Sequence, residues 1–258
     1  MSFDKLLGID VGYARSRPTT GIAWSLGEAV GSARTHTDWE RRQRHIPLST
    51  SFAMIAIDGP LTPPDAPDRL DRLCERLLTR GAFQRRCKPG LSHFGHGLAL
   101  RKAAAETAAQ VGHLAAAAPI GRAVIPGAAI IEAFPNAFLG VLLADERFAI
   151  SKAAKRKKFD WLYAQAAETG VIARLLDFIG WHNGRLLQNI TTETDHERRA
   201  AWICLLTAAC AAAGKSEVVG DPAGGWIWLP PAELWAGWAA DALSRSKVAA
   251  ACGGTTRR

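Results

Sequence analysis

Leu6-Leu7-Gly8-Ile9-Asp10-Val11-Gly12 is the stretch that decides the fold. It is a short apolar run with one carboxylate near its end and a glycine on either side of that carboxylate. Its length and flanks read as a buried strand over residues 5–11. An ionised aspartate at the tip of such a strand needs hydrogen bonds, a cationic side chain or a metal to offset its desolvation. After Gly12 the chain runs through Tyr13-Ala14-Arg15-Ser16-Arg17-Pro18-Thr19-Thr20, a polar turn, and returns as Gly21-Ile22-Ala23-Trp24. Residues 20–26 are expected as the next strand. Residues 28–36, small and polar, suit a partly exposed strand after it. Strands joined by turns this short predict an antiparallel meander.

The opening pattern recurs. Phe52-Ala53-Met54-Ile55-Ala56-Ile57 again ends in an aspartate, Asp58, followed at once by Gly59-Pro60. Aspartate commonly caps such turns, which is the plain structural alternative for Asp58. If the two strands are neighbours, both acids stand at one edge of the sheet, where like charges raise each other's pKa or recruit a cation. Ala128 to Pro135 reads as a further strand with an acid, Glu132, at its end. Asp195 opens a helix: Thr194-x-x-Glu197 forms a capping box and puts Asp195 at the first helical position, where the helix dipole favours an acid.

Elsewhere the signals are helical. Leu70, Leu73, Leu77 and Leu78 have helical spacing within 68–79, and Leu98 to Ala118 reads as one alanine-rich helix ended by Pro119. Helices are also expected from Asn136 to Leu143, after Phe159, over Val171 to Ile179, and from Asp195 to Ala213. Gly224 to Pro230 reads as a turn and strand. Residues 1–243 are expected as a single domain and 244–258 as a flexible tail.

Basic residues fall in groups. Arg41, Arg42 and Arg44 read as a solvated face. Arg85, Arg86 and Lys88 lie in Gln84 to Gly90, which Pro89 and Gly90 are expected to keep out of helix, a loop able to grip phosphates or simply exposed. Cys87 between these cations is a candidate for a lowered pKa, though no base is positioned beside it. Ser151 to Lys158 is the densest basic run; like charges at a helix start oppose the dipole, which favours an anionic partner.

The net charge is +8, from 32 basic and 24 acidic residues, and suits a polyanionic partner. The 5 cysteines contain no C-x-x-C pair, so neither a zinc ribbon nor a disulfide framework is indicated, and reduced thiols in a cytoplasmic protein are expected. No signal peptide is expected, and no apolar run approaches the ~18 residues of a membrane span. His93, His96 and His113 lack the spacing of a zincin helix, and there is no Walker A motif.

Taken in order, Gly8-Ile9-Asp10-Val11-Gly12, Ala56-Ile57-Asp58-Gly59-Pro60-Leu61, Ile131-Glu132-Ala133-Phe134-Pro135, Asp195-His196-Glu197-Arg198-Arg199-Ala200-Ala201-Trp202 and Gly225-Trp226-Ile227-Trp228-Leu229-Pro230 form a series. It resembles the domain-of-unknown-function family 429, regarded as predicted nucleases with an RNase H-like fold. The resemblance spans residues 8 to 230. It implies an α/β architecture: a mixed five-stranded sheet, its first three strands antiparallel, with helices on both faces. It also implies a carboxylate cluster holding two Mg²⁺ or Mn²⁺ ions for phosphodiester cleavage, with Asp10 as the bridging ligand and Asp58 and Asp195 completing the pair. Such ions take hard oxygen ligands. Glu132 would be a further catalytic acid. Arg85, Arg86, Lys88, Lys155 and Lys158 would bind the backbone of a DNA or RNA substrate.

Two other classes stay open. A non-catalytic nucleic-acid-binding protein could keep the fold and charge without needing all these acids. A small-molecule phosphotransferase of the actin-like ATPase type also opens on an acid-bearing, glycine-flanked strand and hairpin. Its second lobe would carry a D-x-G signal that Ala128 to Pro135 lacks.

Overall fold

The computed structural model describes residues 3–14, 16–47, 50–67, 69–118, 125, 127–149 and 158–253. Its strands are β1 (Leu6–Asp10), β2 (Thr20–Leu26), β3 (Ala29–Thr35), β4 (Met54–Asp58), β5 (Ile130–Ala133), β6 (Glu217–Asp221) and β7 (Gly225–Leu229). They form one mixed 7-stranded sheet in the order β3-β2-β1-β4-β5-β7-β6. β1, β2 and β3 pair antiparallel as expected. β1, β4, β5 and β7 then run parallel, and β6 closes the far edge antiparallel to β7. The sheet thus has 7 strands rather than the five that the resemblance implies. The hairpin β6–β7 extends it.

The helices are α1 (Trp39–Arg42), α2 (Leu73–Leu78), α3 (Gly81–Arg86), α4 (His96–Val111), α5 (Pro135–Leu142), α6 (Asp145–Ala149), α7 (Lys158–Glu168), α8 (Val171–Ile179), α9 (Gly184–Thr192), α10 (His196–Ala212) and α11 (Gly237–Gly253). Several differ from the sequence reading. The helix expected over 68–79 is confined to α2, since Arg72 before it is extended. The long helix expected to reach Ala118 stops at Val111 and becomes a 3₁₀ turn at Gly112–Leu114, after which Ala115 and Ala117 bridge neighbouring strand-like segments. Gln84, Arg85 and Arg86 are helical, within α3; Pro89 and Gly90 lie beyond its end and do not prevent it. The tail expected from residue 244 is helical as far as Gly253.

Parallel strands need cover on both faces, and β1, β4 and β5 are accordingly apolar on both. Along each strand alternate side chains enter different cores. Leu6, Ala23, Ala56, Ile131 and Ala133 face a large core that includes α10. Leu7, Ile9, Ile22, Ile55, Ile57 and Ile130 face a smaller one closed by Ala104, Ala108 and Val111 of α4. α10 is apolar all round: every residue from Ala200 to Cys210 is buried, as in a helix enclosed by the core rather than lying on it.

Two glycines let α10 press onto the sheet. A β-carbon at Gly8 would collide with the backbone of Ala201 and Leu205, and one at Gly21 with the carbonyl of Glu197. Gly21 lies opposite Asp10 in the β1–β2 register. The first turn of α10 is thereby brought beside the tip of β1.

Arg42 corrects the expectation of a solvated basic face on α1. It is buried, and its Nη1 donates to Thr107 Oγ1 at 3.0 Å and Gln110 Oε1 at 2.7 Å, tying α1 to α4. Burial pulls its guanidinium down to about 10. Among the described residues no helix is long and apolar enough to cross a membrane.

Candidate active site

β1 and β4 are parallel neighbours, and their register places Asp10 directly beside Asp58. Both lie at the carboxyl ends of their strands, in phase with Gly8 and Ala56, on the face covered by α10. Adjacent strands are ~4.8 Å apart, so the two carboxyl groups leave the sheet side by side. Both are half-buried. Among the described residues, no cation or hydrogen-bond donor pairs with either carboxylate. Burial pushes the Asp10 carboxyl well up, reinforced by Asp58, Glu197 and Asp195. Burial likewise pushes Asp58 up, to about 7, with Glu132 adding to it.

Asp195 stands nearby in a different state. It is the N-cap of α10 and not its first helical residue, so the N3 position falls on Arg198 and the capping box expected from Thr194 does not form. Its Oδ1 accepts from Arg198 N–H at 3.0 Å, and its Oδ2 pairs with Arg34 Nη1 at 3.2 Å. Burial would raise its pKa, but the Arg198 N–H and the Arg34 guanidinium outweigh this and hold it below the usual carboxylate range. Both oxygens are engaged.

Glu197 is the acid that the sequence reading passed over as a capping partner. It sits above Gly21, its charge acts on Asp10, and Arg34 Nη2 pairs with it at 3.3 Å. Arg34 on β3 therefore bridges Asp195 and Glu197, with its Nε donating to Pro18 O at 2.6 Å. Two acids in one helical turn were visible at Asp195-x-Glu197; their approach to Asp10 depends on Gly21 and was not.

Glu132 is not at a strand tip. It is the third residue of β5, on the face opposite Ile131 and Ala133, and so on the face opposite Asp58. It is 3% exposed and committed to a guanidinium: Arg72 Nη1 donates to Oε1 at 3.0 Å and Nη2 to Oε2 at 2.6 Å. Arg72 also pairs with Glu75 at 3.2 Å. Burial opposes the Arg72 charge, but Glu132 and Glu75 outweigh it and hold the guanidinium protonated more firmly than usual. Two acids share one guanidinium here, and burial still pushes the Glu132 carboxyl up against it.

Beside Asp58 a cavity of about 70 Å³ is lined by Gly59, Pro60, Ser92, Leu100 and Phe134 among others. The cations expected to hold a substrate backbone do not gather there. Arg86 pairs with Asp145 and lies 4.6 Å from the Trp238 ring centre and 5.6 Å from that of Phe148. Arg85 lines a separate groove with Asp145, Trp238, Asp241 and Arg245. Lys158 donates to Arg85 O, and Lys88 is exposed just before the Pro89 to Ser92 segment that borders the Asp58 cavity. Lys155 lies outside the described residues. Cys87 is buried against Gly140, and burial pushes its thiol up to about 12 despite Lys158 and Arg86, the reverse of the lowered pKa considered above.

Asp58, Glu197 and Asp195 thus all bear electrostatically on Asp10, and Glu132 bears on Asp58. Among the described residues, no group of 3 or more His, Cys, Asp and Glu side chains is placed to hold a metal ion. The three-acid ligand set expected for two ions is not assembled: Asp195 is turned to Arg34 and the helix N-terminus. The pair Asp10 and Asp58 does offer hard oxygen donors with no counter-charge among the described residues.

Neither family models, nor curated proteins, nor solved structures yielded a match to the chain.

Proposed function

We propose that the chain is a metal-dependent phosphodiester hydrolase on an RNase H-like scaffold, in which Asp10 and Asp58 hold a Mg²⁺ or Mn²⁺ ion. The observation that carries this reading is the Asp10–Asp58 pair: two adjacent, half-buried carboxylates in register, with no cation paired to them among the described residues. Keeping both ionised without a counter-charge is unfavourable, and a bound cation removes that cost. The pair also straddles a point where the chain's connections diverge, from β1 toward β2 on one side and from β4 toward β5 on the other. In open α/β sheets the crevice outside the strand ends at such a point is where ligands bind.

The residues fit one ion. Mg²⁺ is commonly held by one or two carboxylates, with water and substrate phosphate oxygens completing its shell. When bound, the ion would polarise a phosphoryl oxygen or lower the pKa of a water. The chain's own part is to fix Asp10 and Asp58 in register, to engage Asp195 and Glu197 with Arg34, and to attract a polyanion through its net charge of +8. The antiparallel pairing of β1 to β3 within a mixed sheet is the part of the implied arrangement that supports this reading, though the sheet has 7 strands.

The test is cleavage of single-stranded and duplex DNA and RNA with Mg²⁺ or Mn²⁺, for the wild-type chain and for Asp58→Asn. The reading expects cleavage by the wild type alone, abolished by a chelator. Binding that weakens with salt, without cleavage by any preparation, would instead favour the non-catalytic reading.

A further inference from the structure

The buried ion pair between Arg72 and Glu132 does more than satisfy itself. Glu132 Oε2 accepts the Leu61 N–H at 2.7 Å, and Arg72 Nη2 donates to the Leu61 carbonyl at 3.3 Å. Both backbone polar groups of Leu61 are thus held by one bidentate pair. Leu61 is 2% exposed, Arg72 1% and Glu132 3%, so water cannot take over either bond. Only Gly59 and Pro60 separate Leu61 from Asp58. Arg72 is itself held from behind, its Nε donating to Gly224 O at 2.6 Å in the β6–β7 turn.

A buried ion pair is a poor source of stability, since apolar residues of similar volume commonly serve as well. What apolar residues cannot do is hold a backbone N–H and carbonyl in fixed directions. Groups that orient a metal ligand from behind typically alter metal affinity 10–100-fold when changed.

We propose that the Arg72–Glu132 pair is a positioning device: by gripping Leu61 it fixes the Asp58-Gly59-Pro60-Leu61 turn and so aims the Asp58 carboxylate beside Asp10. Glu132 is then a positioning residue and not a ligand. The role rests on the one-ion reading above, but the grip on the turn can be read without it.

The experiment compares Glu132→Gln with Tyr163→Phe, the latter removing a buried hydrogen bond to Ile190 O far from the turn. Mn²⁺ binding is followed by titration calorimetry, and Leu61 amide exchange by NMR, on the full chain. Glu132→Gln is expected to weaken Mn²⁺ binding ~10–100-fold and to speed Leu61 exchange selectively, while Tyr163→Phe changes neither. A purely structural pair would lower stability and leave Mn²⁺ affinity at the wild-type value, which overturns the proposal. Unchanged Leu61 exchange overturns it too. If the wild type takes up no Mn²⁺, the one-ion reading fails by itself, and Leu61 exchange alone then judges the grip. Should Glu132→Gln not fold, Arg72→Lys, which keeps the charge but loses the fork, gives the same readouts with the same expected directions.

Discussion

Asp58 and Glu132 sit on neighbouring parallel strands but on opposite faces of the sheet, and the fold treats the acids around them in opposite ways. Around Glu132 it supplies a guanidinium, a backbone N–H and nearly complete burial. Around Asp10 and Asp58 it supplies neither cation nor donor among the described residues, and leaves both half-open. The first arrangement is how a chain neutralises charge for its own architecture. The second leaves two neighbouring carboxyl groups with no counter-charge among the described residues. A strand-borne acid in the sequence does not distinguish these cases; its partner does.

The comparison can be broken first at Arg72. Arg72→Met strands Glu132 and Glu75 in the interior and is expected to cost about 3–5 kcal/mol, measured by urea unfolding. Loss of less than ~1 kcal/mol would mean that the Glu132 group is not held by this cation.

The open pair makes the next prediction, through pH. Asp58 titrates near 7 in the folded chain, above its ordinary value, so between about 4 and 7 the folded state binds more protons than the unfolded one. Stability should therefore fall as pH rises through that window, by an amount on the order of 2–4 kcal/mol. Asp58→Asn should flatten this slope and be at least as stable as wild type above pH 7, as read by thermal unfolding across pH. A slope of the opposite sign would show the carboxylate to be compensated after all.

Smaller effects sharpen the boundary of the open pair. Asp195→Ala removes an N-cap hydrogen bond and should cost ~1 kcal/mol, without touching the Asp10–Asp58 register. Asp195 is held below the usual range, so its contribution is present at neutral pH and lost as pH falls through its folded pKa, opposite in sign to Asp58. Arg34→Gln breaks partly exposed pairs to Asp195 and Glu197 and should change stability by ~0–1 kcal/mol. A much larger loss in denaturant unfolding would show that Arg34 also serves the open pair.

The sheet's centre was legible because β1 and β4 are apolar on both faces and end in aspartate. That signal is local, and it located Asp10 and Asp58. β6 escaped because Glu217-Val218-Val219-Gly220-Asp221 is a mostly half-buried edge strand with too few apolar residues to alternate visibly. α11 escaped because alanines mixed with Arg245 and Lys247 read equally as helix or tail. Glu132 was found as an acid, but its partner comes from 60 residues away, and no local spacing reveals it. Thr194 and Asp195 are both competent caps, so the cap was placed one residue early. Glu197 needed Gly21 on another strand to become a neighbour of Asp10.

Asp10 and Asp58, on the proposed reading, are left open for a cation. Calorimetric titration of Mn²⁺ into the wild-type chain and into Asp58→Asn, above pH 7, tests it most directly. One ion is expected to bind the wild type and none a variant that folds at least as stably. No binding by the wild type, or equal binding by Asp58→Asn, would contradict it.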